Sequence, residues 1–314
     1  MRAFSTGTTA AKGLAALPGG GAHFHGHNGA DGAAPSHITF KEDFIMRYLL
    51  FPKYFAHLSN VELSELCAEA GLEAPMPLIR NGFLSEDLAT LRNQLPSYLA
   101  TFRQAGQNIT TACLDWFGPR IRQNLDTLKY LADMGITTAR IGLDFQRIEP
   151  RLEAEKARRE AEDYADCARQ AGLRLLLQVH HGTYLHTATA VYQALQGLDS
   201  RWLGAWIDPG NNVFEGHEDF SYQVKLLDEY LFAFGAKDAA EFRDGPANDI
   251  DKGWSARCVP AYAGRTDWRK FYQAVKGRDL FAVLMPFYDL PSRDALRQAF
   301  LQEAAYLKRV ESLV

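Results

Sequence analysis

Eight short apolar runs, separated by longer stretches at helical spacing, constrain this sequence more than any other feature. The runs lie at 43–50, 74–79, 109–116, 138–145, 173–180, 202–208, 231–236 and 281–287. Several are almost continuously apolar, as in Leu173-Arg174-Leu175-Leu176-Leu177. A strand with one face in water alternates apolar and polar residues, whereas near-continuous apolarity belongs to a parallel strand covered on both faces. The intervening stretches carry the helical period. Residues 150–171 are dense in Glu, Ala and Arg, and 292–312 align Leu296, Phe300, Ala304, Leu307 and Val310 on one stripe. Eight strands, each with a helical partner, predict an α/β chain closed into a single (β/α)8 TIM barrel. The alternative, an open doubly wound sheet, would carry a Gly-rich phosphate loop after its first strand, and none is present.

Composition sets the limits of that barrel. Residues 1–36 are rich in Gly, Ala, Ser and Thr and nearly devoid of large apolar side chains. Such a segment cannot bury enough surface to offset its ordering entropy, so a disordered or extended tail is expected there, with the barrel over 37–314. The stretch Lys12–Pro18 resembles the end of a bacterial export signal but lacks a twin arginine and a continuous apolar h-region. Localisation is therefore not fixed: a cytoplasmic protein is the expectation, and export through a degenerate signal is the alternative. His23, His25 and His27 alternate in the same tail, where weak metal binding competes with incidental composition.

The whole chain carries 34 basic and 38 acidic residues, a formal charge of −4. That balance gives no general attraction to a phosphate backbone, so no nucleic-acid partner is expected. No run approaches the roughly 18 apolar residues of a membrane span, so no membrane partner is expected either. Cys67, Cys113, Cys167 and Cys258 are scattered and form no CxxC pair, the usage of small buried apolar residues.

In a barrel of this kind chemistry sits where the strands end at the C-terminal face. The candidates there are Asp115 and Trp116, Arg140 and Asp144, Gln178, His180 and His181, Asp208 and Asn211, Lys237 and Asp238, and Met285 and Asp289. Singly, each is as readily a helix cap or a satisfied core contact. Together, converging on one mouth, they form a candidate pocket.

Three segments carry more information: Gln178-Val179-His180-His181-Gly182-Thr183, Ile207-Asp208-Pro209-Gly210-Asn211 with Glu215-Gly216, and Gly235-Ala236-Lys237-Asp238-Ala239 followed by Gly253-Trp254 and Thr266-Asp267-Trp268. With Glu69-Ala70-Gly71, Leu95-Pro96 and Arg140-Ile141-Gly142, their order and spacing resemble the sugar phosphate isomerase/epimerase family of xylose isomerase-like barrels. The resemblance covers most of 37–314. It implies one divalent metal held by Glu, Asp, His and Glu from the last four strands, with the two glutamates moving a proton between adjacent sugar carbons. Placed on this chain, those four positions fall on Gln178, Asp208, Gly235 and Met285, so only Asp208 is retained. No histidine follows His217, so a register shift cannot restore the third ligand.

One carboxylate and a neutral amide are a poor remnant for a hard cation, and a thioether suits soft metals. Neither Gln178 nor Met285 exchanges a proton near neutral pH. No cofactor is therefore expected, and a divalent metal only at a rebuilt site made from His180, His181, Asp208 and Asp144 or Asp289. The expected catalytic residues are His180, Asp208 and Lys237. The expected substrate-binding residues are Arg140, Gln178, His181, Trp116 and Trp254, from a set of tryptophans that includes Trp206 and Trp268. Arg140 and Lys237 each have an alternative as a structural ion pair, for example with Asp208 or Asp238.

Three functions compete on these residues. One is an isomerase or epimerase-like protein acting on a small carbohydrate or sugar phosphate with an altered site. The second is a barrel without catalysis, serving as a carbohydrate-binding or partner subunit. A DNA-repair endonuclease of the same barrel superfamily needs a histidine-rich zinc cluster and a basic surface, and this chain has neither. Homo-oligomerisation is left open.

Overall fold

A computed structural model describes residues 46–144, 149–216, 218–245 and 253–314. The expectations for the 1–36 tail, its export-like stretch and its histidines lie outside the described residues. Among those described, the strands run in parallel around a barrel: Arg47–Leu50, then Ala74–Pro75 with Leu78–Ile79, Thr111–Leu114, Thr138–Arg140, Arg174–Gln178, Leu203–Ile207, Leu231–Ala236 and Phe281–Leu284. Each falls inside one of the eight apolar runs.

Closure happens at the second strand. Ala74–Pro75 pairs with the first strand and Leu78–Ile79 with the third. Pro75 and Pro77 lack an N–H and interrupt the ladder between these two pieces. The backbone switches partner across them: Met76 N donates to Leu50 O at 2.8 Å, and Pro77 O accepts from Cys113 N at 2.9 Å. The first and eighth strands pair in register, Arg47 against Phe281, which completes the ring.

The apolar runs bury both faces, as near-continuous apolarity requires. Leu175 and Leu177 face the layer between strands and helices, whereas Leu176 points to the barrel interior. That interior is filled by Leu49, Met76, Cys113, Trp206, Val283 and others, so the barrel is a packed core beneath its mouth. Helices follow the strands at Asn60–Glu69, Leu88–Gln104, Pro119–Gln123 with Leu125–Asp133, Pro150–Ala171, Ala188–Leu195, Phe220–Leu227, Trp268–Val275 and Arg293–Glu311. Polar side chains start many of them. Ser59 and Glu62 form a reciprocal capping box, and Asp87, Thr187, Asp219, Asp267 and Ser292 accept from backbone N–H groups of the first turn.

An antiparallel hairpin, Asp238–Arg243 with Trp254–Val259, leaves the seventh strand before its helix begins. The apolar pattern does not announce it, because both arms carry charged residues and the ribbon buries little. No helix among the described residues is long and apolar enough to cross a membrane.

Candidate ligand site at the barrel mouth

A cleft of about 490 Å³ opens at the C-terminal ends of the strands. Its wall includes Arg140, Gln178, His180, His181 and Lys237, five of the residues expected at the site. Asp208 lies beneath this wall with no exposed surface.

A chain of polar contacts crosses four consecutive strands here. Arg140 Nε donates to Gln178 Oε1 at 2.9 Å, and Gln178 Nε2 donates to Asp208 Oδ2 at 2.6 Å. The Lys237 ammonium lies 3.4 Å from the same oxygen and donates to Asn211 Oδ1. Asn211 returns the connection, its backbone N–H donating to Asp208 Oδ1 at 3.0 Å and its amide to Val179 O at 3.0 Å. Adjacent parallel strands place their final residues side by side, which is why residues distant in sequence meet without loop rearrangement. Asp208 also caps the short helix Pro209–Glu215. Burial pushes its carboxyl above the usual range, while Lys237, Asn211 and Gln178 pull in the opposite direction. Of the two ion-pair partners open to Lys237, the structure gives Asp208. Asp238 is turned away, accepting from Ala239 N, Thr266 and Trp268 Nε1.

His180 Nδ1 is 2.6 Å from the His181 carbonyl oxygen, an acceptor, so in the neutral ring Nδ1 carries the proton. Burial, Lys237 and Arg140 lower its imidazole to about 3. The ring is therefore neutral through the physiological range and a weak base. His181 stacks between His180 and Phe214, with ring centres at 4.7 and 4.2 Å.

Two expected wall residues lie elsewhere. Trp116 is fully buried outside the barrel wall and donates Nε1 to Glu86 Oε1 at 2.8 Å. Side chains alternate along a strand, so Cys113 faces the interior, Asp115 reaches the mouth, and Leu114 and Trp116 face outward. Trp254 is 62% exposed at the far end of its hairpin arm. Cys258, four residues along the same arm and roughly 13 Å away at strand rise, is the one that reaches the cleft. Trp206 is in the barrel interior and Trp268 packs on Phe234. The apolar walls are instead Phe51, Phe117, Leu143, Met285 and Phe287.

Sequence reasoning also missed Lys53 and Arg80, both at the cleft. They follow the first and second strands, and extending the strand-end reading to those strands would have found them. Arg80 Nε pairs with Asp115 Oδ2 at 3.1 Å. Lys53 stands over the rings of Tyr54 and Phe287, at 5.8 and 5.2 Å from their centres. Desolvation and the Arg80 guanidinium lower its ammonium from the ordinary value, against the opposing pull of Asp115.

The four positions of the implied metal set do not fit a hard divalent cation. Gln178 uses both ends of its amide. Asp208 is surrounded by donors, where a cation needs acceptors. A Cβ on Gly235 would lie 2.9 Å from Asp208 Oδ2 and 3.0 Å from Trp206 Nε1, so these two groups already fill the space of a side chain. Met285 belongs to the apolar interior. Among the described residues, no group of three His, Cys, Asp or Glu side chains is placed to hold a metal ion, so His180, His181, Asp208, Asp144 and Asp289 are not gathered into one.

A family model for xylose isomerase-like TIM barrels matches residues 61–309. The chain belongs to that family. Solved structures agree in fold. The probable 3-DHS dehydratase AsbF from Bacillus anthracis, involved in petrobactin synthesis, superposes with a TM-score of 0.64 at 16% identity, covering 83% of this chain and 98% of that one. A family protein from Mycobacterium smegmatis in complex with magnesium gives 0.59 at 16% identity, covering 82% and 89%. A sugar phosphate isomerase/epimerase from Parabacteroides distasonis gives 0.56 at 14% identity, covering 88% and 98%. No curated protein matches the sequence.

Proposed function

We propose that this xylose isomerase-like barrel binds a small carbohydrate with an anionic group, a sugar phosphate or sugar acid, at its mouth, and does so without a divalent cation beside Asp208. One observation carries the reading. Arg140 and Lys53 face the cleft and, among the described residues, their contacts at hydrogen-bond or ring distance are with neutral groups: Gln178 Oε1 and Cys113 Sγ for the first, aromatic rings for the second, with Asp115 acting on Lys53 only from a distance. Cations left without a carboxylate at ion-pair distance in a partly desolvated cleft are costly unless an anion completes them.

Any catalysis at this mouth falls to His180 and Lys237, with Asp208 acting through Lys237. A second reading, a binding subunit without isomerase chemistry, has its own support. Gln178 and Met285 cannot exchange protons, and His180, lowered to about 3, is a weak general base.

Thermal-shift and calorimetric titration of the chelator-treated protein tests the binding. Sugar phosphates and sugar acids are expected to raise the melting temperature where neutral sugars do not, and Arg140→Gln to weaken binding by about 1.5–3 kcal/mol. Equal response to neutral sugars, or binding that appears only with added Mg or Mn, would overturn the proposal.

A further inference from the structure

The side chains of the cleft are unequal in hydrogen-bond polarity. Lys53, Arg80 and Arg140 contribute several N–H donors each and no acceptor, and Lys237 adds what its contacts with Asp208 and Asn211 leave. Acceptors are scarce by comparison. The Asp115 carboxylate is held by Arg80, the Gln178 carbonyl oxygen by Arg140, and Asp208 has no surface. Among the described side chains of the cleft, the remaining acceptor groups are the second oxygen of Asp115 and the imidazoles of His180 and His181, which have contacts of their own. Phe287 sharpens the imbalance. Lys53 stands 5.2 Å from the centre of its ring; Lys237, at 5.5 Å, also engages Asp208 and Asn211. A ring face holds an ammonium without using its N–H bonds and without cancelling its charge. Phe117, Leu143 and Met285 add wall that offers a hydroxyl nothing.

A fully hydroxylated sugar fits such a wall poorly, because each hydroxyl brings a hydrogen that needs an acceptor as well as an oxygen that needs a donor. A hydroxyl buried without a partner costs affinity. The surface suits a molecule rich in acceptor oxygens, poor in hydroxyls and partly apolar. We propose that the ligand of this cleft is an oxo, deoxy sugar acid, the product of dehydrating a polyhydroxy acid. Its carboxylate and carbonyl oxygens meet the Lys and Arg donors, and its deoxygenated carbon lies on the Phe117 and Leu143 side. This rests on the anion-binding reading above and narrows it.

A matched pair of probes tests it on the full-length protein. Gluconate and 2-keto-3-deoxygluconate have the same charge and carbon count and differ by one molecule of water. Calorimetry is expected to give a dissociation constant at least about tenfold lower for the keto-deoxy acid, equivalent to about 1.4 kcal/mol. Phe117→Asn, which puts a donor and an acceptor on the partly exposed apolar wall, is expected to bring the ratio towards one. Gluconate or glucose 6-phosphate binding as tightly as the keto-deoxy acid would overturn this inference and leave the anion-binding proposal standing. Binding of none of the three would overturn both.

Discussion

Gln178 Nε2 and Asp208 Oδ2 are 2.6 Å apart, deep beneath the cleft, and this contact fixes the polarity of the whole mouth. Because the amide nitrogen must face the carboxylate, the amide oxygen must face Arg140, which it meets at 2.9 Å. The guanidinium is thereby anchored by a neutral group and keeps its charge for the cleft. A glutamate at 178 would reverse this arrangement, setting carboxylate against carboxylate.

Gln178→Glu is therefore expected to destabilise the fold by about 1–3 kcal/mol near neutral pH, since two adjacent buried carboxyl groups cannot both ionise. One of the pair has a raised folded-state pKa, so the folded protein retains a proton that the unfolded chain has released. Stability of the variant should fall as pH rises and approach wild type in mild acid. Denaturant melts at about pH 5 and pH 8 measure this, and an equal loss at both would show that the repulsion is absent.

Lys237→Met should be destabilised by about 3–5 kcal/mol, because it leaves the fully buried Asp208 without its ammonium partner and Asn211 Oδ1 without its donor. Adding Asp208→Asn should recover much of that loss, as it removes the stranded charge. The double-mutant cycle in urea separates this structural role from ligand binding. A single variant as stable as wild type would mean the ion pair contributes nothing to folding.

Glu303 gives a pH dependence away from the mouth. It is fully buried, accepts from Ala261 N at 2.7 Å and lies 3.1 Å from the Tyr288 hydroxyl; burial raises it to about 8. In the unfolded chain it titrates near its ordinary 4.5. Its contribution is fully present below that value and is lost as pH rises through about 8, because the unfolded state gives up the proton first. Glu303→Gln keeps both hydrogen-bond partners and removes the ionisation. Its melting temperature should change less between about pH 5 and pH 9 than that of wild type, and exceed wild type at the upper end. Parallel profiles for the two proteins would show that Glu303 does not titrate in this range.

The candidate site was legible wherever a strand end supplied a polar residue whose side chain had to reach the mouth. Arg140, Gln178, His180, His181 and Lys237 all line the cleft. Trp116 and Trp254 were misplaced for opposite reasons: the first by strand alternation, the second by a hairpin that carries no apolar signature. Lys53 was within reach of the strand-end reading, but its placement over Phe287 was not, because a cation held by a ring is a relation between two segments and neither alone implies the other.

What the sequence by itself determined is the barrel. Apolar runs covered on both faces, alternating with amphipathic helices, admit few closed arrangements, and burial of apolar surface is a collective property that tolerates errors at single positions. That the ligand positions implied by the resemblance fall on Gln178, Gly235 and Met285 is likewise a reading of residue type alone, which decides whether a side chain can ligate or move a proton. Only the tertiary structure decided what Asp208 does instead. It is saturated by Gln178, Asn211 and Lys237, and Gly235 leaves room for it beside Trp206. These contacts join residues from different strands at hydrogen-bond distance, and such short-range, directional forces are set by the closure of the barrel rather than by any pattern along the chain.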